Sequence, residues 1–518
     1  MVKILIGNLT TKIVGFLPDN VQDELDDVLS YRLKDAHYMK KVKEKKWDGI
    51  YHLYKRSYGQ SFYSGLLSLA EEVLKKNNVE YTRVDERIKP AQNMLDLKFI
   101  QSPYYEERPY QQFTVERAIK STRGILKIAT GGGKTVTAIR IIAEIKTGPF
   151  MFYTLTKDLM TQAHKELSSL LNEPIGKIGG GEFEIKNINV CMVQTAIMAV
   201  NLNNKEFKIS DYKFDDEDIE WDEDQVDSTE RLQTLKELII RTKGFIIDEC
   251  HHTSCKSIKD IIATSVNAYW KYGLSATPFR EDGAEIMIQA MFGKKIVDIS
   301  ATYLINNKYL IEPYIIFDPI KNDTKLNSYQ AIYKTCISSN ESFNIHVADI
   351  ANHMIASGLS VLVLVQHYPQ GEMLKKLIPN TEFLTGKMKG EKREQVLNEL
   401  KERTKLCLIA TSLADEGLDV PTLDAVLLAG GGASSTRVHQ RIGRTLRIDR
   451  RSANPRDRSI VVYFEHHGAK YLDKHAKKAR RIIKTEPAFH IIDSAGPTYV
   501  KQEIDEIMGD RSENKINL

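Results

Sequence analysis

Gly124-Ile125-Leu126-Lys127-Ile128-Ala129-Thr130-Gly131-Gly132-Gly133-Lys134-Thr135 is the stretch on which the fold turns. A short apolar run, Gly124 to Ile128, leads into three consecutive glycines, a lysine and a threonine. Ala138, Ile139, Ile142 and Ile145 then follow at helical spacing. Strand, Gly-rich turn and helix in that order suit a loop that wraps a phosphate. The glycines let the backbone turn tightly and aim several N–H groups at one anion, and the helix N-terminus adds positive potential. Lys134 then faces the β and γ phosphates and the Thr135 hydroxyl ligates magnesium. Thr130, Gly131, Gly132, Gly133, Lys134 and Thr135 are therefore the candidate nucleotide contacts. The first position of the usual pattern, Gly or Ala, is Ile128 here.

Outward from this loop the chain alternates short β-rich runs with helical patterns, which predicts parallel α/β sheets. The runs are Gly124 to Ile128, Phe150 to Leu155, Ile188 to Val193, Gly244 to Ile247 and Tyr272 to Leu274 in the first half. In the second half they are Val361 to Val365, Lys405 to Ala410, Ala425 to Leu428 and Ser459 to Phe464. Two similar sheets in tandem are the simplest arrangement. Residues 1–105 differ in texture, with strands expected at Val2 to Leu5 and Gly49 to Tyr54 and helices at Gln22 to Tyr31 and Phe62 to Lys76. They predict a separate small α+β domain, one that can be removed without loss of the rest. Eight acidic residues between Asp215 and Asp224 mark residues of about 201–237 as a solvated acidic insertion.

At 518 residues the chain is too long for one core, and roughly 100 to 200 residues per domain give about three domains. Lys and Arg number 73 against 69 Asp and Glu, so a basic surface must be local. The five cysteines are scattered, which argues for a reducing compartment. No apolar run approaches the ~20 residues of a membrane helix, and Met1 to Leu17 lacks a signal-peptide cleavage pattern. A cytoplasmic location follows, the host cytoplasm if the chain is phage-encoded.

Gly244-Phe245-Ile246-Ile247-Asp248-Glu249-Cys250-His251 supplies the second half of a hydrolytic site: an apolar strand ending in two adjacent carboxylates. One can hold magnesium and the other can orient or deprotonate water, roles assigned here to Asp248 and Glu249 respectively. Cys250, His251, His252 and Cys255 lack a second ligand pair at zinc-finger spacing, which disfavours a zinc site. Downstream, Arg444 and Arg447 sit one helical turn apart. A planar guanidinium neutralises the charge that spreads during γ-phosphate transfer, so both are candidate arginine fingers.

In series these pieces resemble the superfamily 2 helicases. Arg108-Pro109-Tyr110-Gln111 resembles the family's adenine-reading element, implying that Gln111 contacts the base and that Arg108 belongs to the nucleotide-binding set. Asp248-Glu249-Cys250-His251 is similar to the DExH box. Ser275-Ala276-Thr277 resembles the motif that couples hydrolysis to domain movement, which implies a coupling role for Ser275 and Thr277, and His251 of the DExH box is assigned to the same role. The run Ala414 to Pro421 resembles the fifth motif, placing Gly417 and Asp419 at the nucleotide. The run Gln440 to Arg447 resembles the sixth, which adds Gln440 to the catalytic set. The resemblance implies two tandem RecA-like motor domains, 106–305 and 306–518, that use ATP and Mg2+ and close over a polynucleotide.

By the same resemblance, strand contacts fall on Thr156, Lys157, Gln194, Thr195, Thr385 and Thr411, although a helix cap or turn explains any one of them equally well. Lys40, Lys41, Lys43, Lys45 and Lys46 lead into Trp47-Asp48-Gly49 beside Tyr38, Tyr51 and Tyr54. Lysines beside aromatic rings suit backbone attraction and base stacking, which makes Lys45 and Trp47 candidates. A basic solvated helix is the alternative, and it applies equally to the run Lys470 to Lys484. Arg280-Glu281-Asp282 resembles an element of XPB-type helicases tied to strand separation. Lys-Trp-Asp-Gly followed by Arg-Pro-Tyr-Gln resembles the UvsW-type recombination helicases. That likeness implies branched or forked DNA as partner, with branch migration, fork regression and unwinding as activities. An RNA helicase and an ATP-switched strand-binding or annealing protein are the alternatives. No carboxylate-carboxylate-Lys nuclease core stands out, which disfavours a restriction-type motor subunit. Oligomeric state is left open, a monomer being compatible with every feature.

Overall fold

Nine sequence runs of aliphatic and aromatic residues become strands of two parallel sheets, because both faces of each strand are covered by helices. The computed structural model describes residues 2–33, 36–91, 94–101, 108–204, 207–208, 228–251, 255–276, 285–385, 388, 390–411, 423–431, 442–443, 446 and 457–513. The chain divides into two compact units, Met1–Ile128 with Gly133–Asp298, and Ala129–Gly132 with Ile299–Leu518.

The first unit is built on an eight-stranded sheet. Its order is Glu182–Glu184, Ile175–Gly179, Ile188–Met192, Phe150–Thr154, Gly244–Ile247, Trp270–Ser275, Arg123–Ile128, Lys295–Ile299. The central pairings are parallel, with Ile247 opposite both Tyr153 and Gly273, and Ser275 opposite Lys127. The loops after Ile128, Thr154, Met192, Ile247 and Ser275 therefore leave from one edge, the carboxyl end of the sheet, where parallel α/β sheets place ligands.

The second unit holds a seven-stranded sheet in the order Thr381–Leu384, Cys407–Thr411, Val361–Val365, Ala425–Leu428, Arg458–His467, Glu312–Lys321, His490–Asp493. All its registered pairings are parallel. Its core gathers Val361, Val363, Val365, Leu427 and Val462 against the helices Glu341–Ala356 and Lys470–Ile483. The α/β class with two RecA-like sheets is as the sequence leads one to expect.

The N-terminal residues make a four-stranded sheet, Ser61–Tyr63, Thr10–Val14, Val2–Ile6, Tyr81–Asp85, with the helices Asp19–Val28 and Leu67–Lys76. Two boundaries are corrected. The first helix stops at Val28, and Tyr31 lies in the short strand Ser30–Arg32; Phe62 is in a strand and the second helix starts at Leu67.

This region also packs closely against the elements of the larger sheet. Val2, Ile4, Phe62, Leu66 and Leu74 share one apolar cluster with Ile125 and Phe245 of the larger sheet and with Ile258 and Met291 of the helices Cys255–Thr264 and Glu285–Phe292. No side chain fits at Gly65, whose Cα faces the carbonyls of Gln289 and Ala290. The buried Lys271 ammonium donates to the Asn8 carbonyl at 2.6 Å and to its side-chain oxygen. Asn8 in turn donates to the carbonyls of Ser265 and Val266 at 2.9 and 2.7 Å. The connection to the motor is strapped down as well: Leu97 is 1% exposed, and Ile100 N–H donates to Leu170 O at 2.8 Å.

The acidic insertion is shorter than expected. Ser228 caps a helix, Thr229–Arg241, that buries Leu232, Leu235, Leu238 and Ile239 at helical spacing, so residues from 229 onward belong to the core. The acidic run itself lies outside the described residues. Among the described residues no helix is long and apolar enough to cross a membrane.

Candidate nucleotide site

The Gly-rich turn follows Ile128, and the helix Lys134–Ile145 starts directly after it. Gly131 and Gly133 both hold left-handed backbone, φ +79° and +73°. A Cβ on Gly133 would come within 2.7 Å of the Gln111 side-chain nitrogen, so the glycine is needed both for its conformation and for its bareness. Gln111 is 1% exposed on the helix Pro109–Ser121, where Pro109 occupies the first turn. The Arg108 guanidinium donates to the Tyr110 hydroxyl at 3.1 Å. The Arg108–Gln111 segment and the Gly-rich turn therefore touch. Thr130 and Gly131 are half-buried and Gly132 is buried in the turn itself, and Thr135 stands in the first helical turn.

From the neighbouring strand, Asp248 and Glu249 reach the same edge. Asp248 N–H donates to Tyr153 O at 2.9 Å, and Glu249 N–H donates to the Asp248 carboxylate at 2.9 Å. Glu249 takes φ +43°, a left-handed conformation costing about 1–2 kcal/mol in a residue with a side chain, and this turn aims its carboxylate at the loop. The Lys134 ammonium forms an ion pair with it. Burial, and next the Glu249 carboxylate, push the Asp248 carboxyl up to about 7, against the pull of Lys134. Two crowded carboxylates that share one lysine, on the sheet edge next to a Gly-rich turn, are a donor set that a magnesium–triphosphate group fits: the cation would add the positive charge two carboxylates need, and the phosphates would give Lys134 a second anion beside Glu249.

His251, 3% exposed, joins this pair to the next strand. Its Nδ1 lies 2.8 Å from Ser275 Oγ and 3.5 Å from the Glu249 carboxylate. One imidazole nitrogen thus lies between the Glu249 carboxylate and the end of strand Trp270–Ser275. His251 and Ser275 belong to two separate motifs in the sequence, and neither their contact nor the orientation of Glu249 through its left-handed backbone has a signal in the residue order.

The remaining candidates are dispersed. Thr156 caps the helix Lys157–Leu170 by accepting from Leu159 N–H at 3.3 Å, and Lys157 begins it. Gln194 and Thr195 are buried in the first turn of the helix Val193–Val200. In the second unit Thr385 is half-buried after strand Thr381–Leu384, and Thr411, 9% exposed, ends strand Cys407–Thr411. Trp47 donates its indole N–H to Ile50 O at 2.8 Å and packs on Tyr51 at 4.9 Å, and the neighbouring Lys45 is exposed. Thr277, Arg280, Glu281, Asp282, Gly417, Asp419, Gln440, Arg444 and Arg447 lie outside the described residues.

With this geometry in place, two family models match the chain: the type III restriction enzyme res subunit over residues 104–280, and the helicase conserved C-terminal domain over residues 346–449. The protein named helicase 22 of Sulfolobus islandicus filamentous virus is 27% identical over 87% of this chain and 78% of its own length. The DNA 3'-5' translocase XPB2 of Sulfurisphaera tokodaii is 24% identical over 70% of this chain and 84% of its own. The ATP-dependent DNA helicase uvsW of Enterobacteria phage T4 is 30% identical over 39% of this chain and 42% of its own.

Proposed function

The chain belongs to the superfamily 2 helicases, and from that premise we propose that it is an ATP-driven DNA motor that remodels branched or forked DNA. ATP use and helicase activity come with the family. The observation that carries the proposal is the Lys134–Glu249 ion pair set against the Gly131–Gly133 turn. The relatives named for DNA translocation and DNA unwinding support DNA as the polymer.

The residues then divide their work as follows. Backbone N–H groups of residues 131–133, with Lys134, hold the phosphates, while Gln111 and Arg108 hold the base and Thr130 lines the turn. Thr135 and Asp248 hold Mg2+, which when bound screens phosphate charge and orients the transferred group. Glu249 positions the attacking water and takes up its proton. Gln440, Arg444 and Arg447 are assigned from the sequence pattern as the second motor domain's contribution to hydrolysis, with Gly417 and Asp419 beside them. His251 and Ser275, continued by Thr277 and Arg280 to Asp282, relay the state of the γ phosphate to the strand-contact loops.

On this reading Thr156, Lys157, Gln194 and Thr195 contact the strand from one motor domain, 106–305, and Thr385 and Thr411 from the other, 306–518. Lys45 and Trp47 approach a branch from residues 1–105. Alternating nucleotide states change the spacing of the two sets, which moves the strand. We place this activity in recombination, repair or replication, in the cytoplasm. The test is the ATPase rate with duplex DNA, four-way junction DNA and RNA as stimulators. Stimulation strongest with the junction is expected; stimulation by RNA alone would replace DNA by RNA in this account.

A further inference from the structure

Lys470, Lys474, Lys477, Arg481 and Lys484 recur at intervals of four, three, four and three along the helix Lys470–Ile483 and its C-cap. At 3.6 residues per turn these five positions fall within about 80° of arc, forming a straight ridge about 21 Å long with a cation roughly every 5 Å. The five side chains are exposed. None of them forms an ion pair among the described residues, whereas Arg480, on the inner side, is held by Glu465 at 2.7 Å and by Asp493 at 2.5 Å. The opposite face anchors the helix through the buried Leu472, Ala476, Ala479, Ile482 and Ile483.

The charge on this ridge is out of proportion to the chain. Residues 470–484 hold seven Lys and Arg against one Asp, a net +6, while all 518 residues together have +4. A face that served only solubility would interleave acids, as the remainder of this chain does. Its position also matters. The helix follows strand Arg458–His467, so its first turn lies at the carboxyl edge of the second sheet, the edge that also bears Thr385 and Thr411. Ring contacts lead from that edge to the helix: His367 to Tyr333 at 4.6 Å, Tyr333 to Tyr329 at 6.1 Å, and Tyr329 to Tyr471 at 6.0 Å.

We propose that this ridge is a second DNA-backbone site, which grips the phosphates of a duplex arm while the loops at the sheet edge hold the translocating strand. The inference rests on the DNA-motor reading above. Evenly spaced cations, four of the five of them lysines, suit sequence-independent phosphate attraction. A motor working at a branch needs such a hold on the arm it does not track.

The test compares wild type with the triple variant Lys474→Gln, Lys477→Gln, Arg481→Gln, and with a Lys474→Arg, Lys477→Arg control. Binding to a four-way junction and to a blunt duplex is titrated across salt concentrations. With about 0.9 counterion released per duplex phosphate contact, the triple variant is expected to lower the log–log salt slope by about 2–3 and to weaken binding about tenfold or more. The arginine control should keep the wild-type slope, and ATPase stimulation by a short single strand should be unchanged in both. An unaltered slope and affinity in a folded triple variant would overturn the ridge. A wild type with no DNA-stimulated ATPase would instead overturn the motor reading beneath it.

Discussion

The Lys134 ammonium is paired with the Glu249 carboxylate, although 115 residues separate them in the chain. The contact places an amino group and a carboxyl side by side where, on the proposed function, phosphate and water arrive. Lys134→Ala removes a cation that opposes the build-up of negative charge around Asp248. Turnover is expected to fall by ~100-fold or more, with DNA binding nearly unchanged because the proposed strand contacts lie elsewhere. Stability should fall by about 2 kcal/mol, and most of it should return in the double variant Lys134→Ala/Glu249→Gln, which removes the orphaned charge. Urea unfolding of the two variants measures this; no recovery in the double variant would show that the pair is not what balances the site.

Asp248 gives a pH dependence whose sign is fixed. Its carboxyl titrates at about 7 in the fold against 3.8 as the ordinary value. The folded state therefore binds the proton more tightly, and this group's contribution to stability falls as pH rises between those two values. In metal-free, nucleotide-free protein, Asp248→Asn is expected to raise Tm relative to wild type at pH 8, and the gain should shrink toward pH 5. Scanning calorimetry across that range decides it. A gain that is constant with pH would assign the effect to something other than charge.

The N-terminal region gives a prediction opposite to the one its sequence suggests. Removing residues 1–100 strips Lys271 of Asn8 and opens the cluster around Met291, so the remainder should be insoluble or strongly destabilised rather than an active core. A milder probe is Asn8→Ala. It should cost about 2 kcal/mol in the wild type, by leaving a buried ammonium without its acceptors, and much less in a Lys271→Met background. Equal costs in both backgrounds would contradict a coupling between Asn8 and Lys271.

Why some features could be read from the sequence and others could not follows from the residues. Gly244–Ile247, Val361–Val365 and Ala425–Leu428 have the same limits in sequence and structure, because unbroken aliphatic runs ending in polar loops belong in buried parallel strands. The ten-residue strand Glu312–Lys321 went unread, since Pro313 and Pro319 signal breaks. The structure tolerates them because pairing with His490–Asp493 involves only Tyr314 to Phe317, leaving both prolines with a neighbour on one side. Strand Lys295–Ile299 was missed because its charged ends mask the apolar centre. In the nucleotide site, Gly133, Lys134, Asp248 and Glu249 were legible from residue type and order. The contact between Gln111 and Gly133 and the left-handed turn at Glu249 were not, since they arise from packing between elements distant in sequence.

The central claim is tested most directly by following migration of a four-way DNA junction with magnesium and ATP, using wild type and Lys134→Ala at equal occupancy of the junction. The account predicts conversion to duplex forks by the wild type at a rate that depends on ATP hydrolysis, and none by the variant. Conversion by both proteins, or by neither while an RNA duplex is unwound by the wild type, would contradict it.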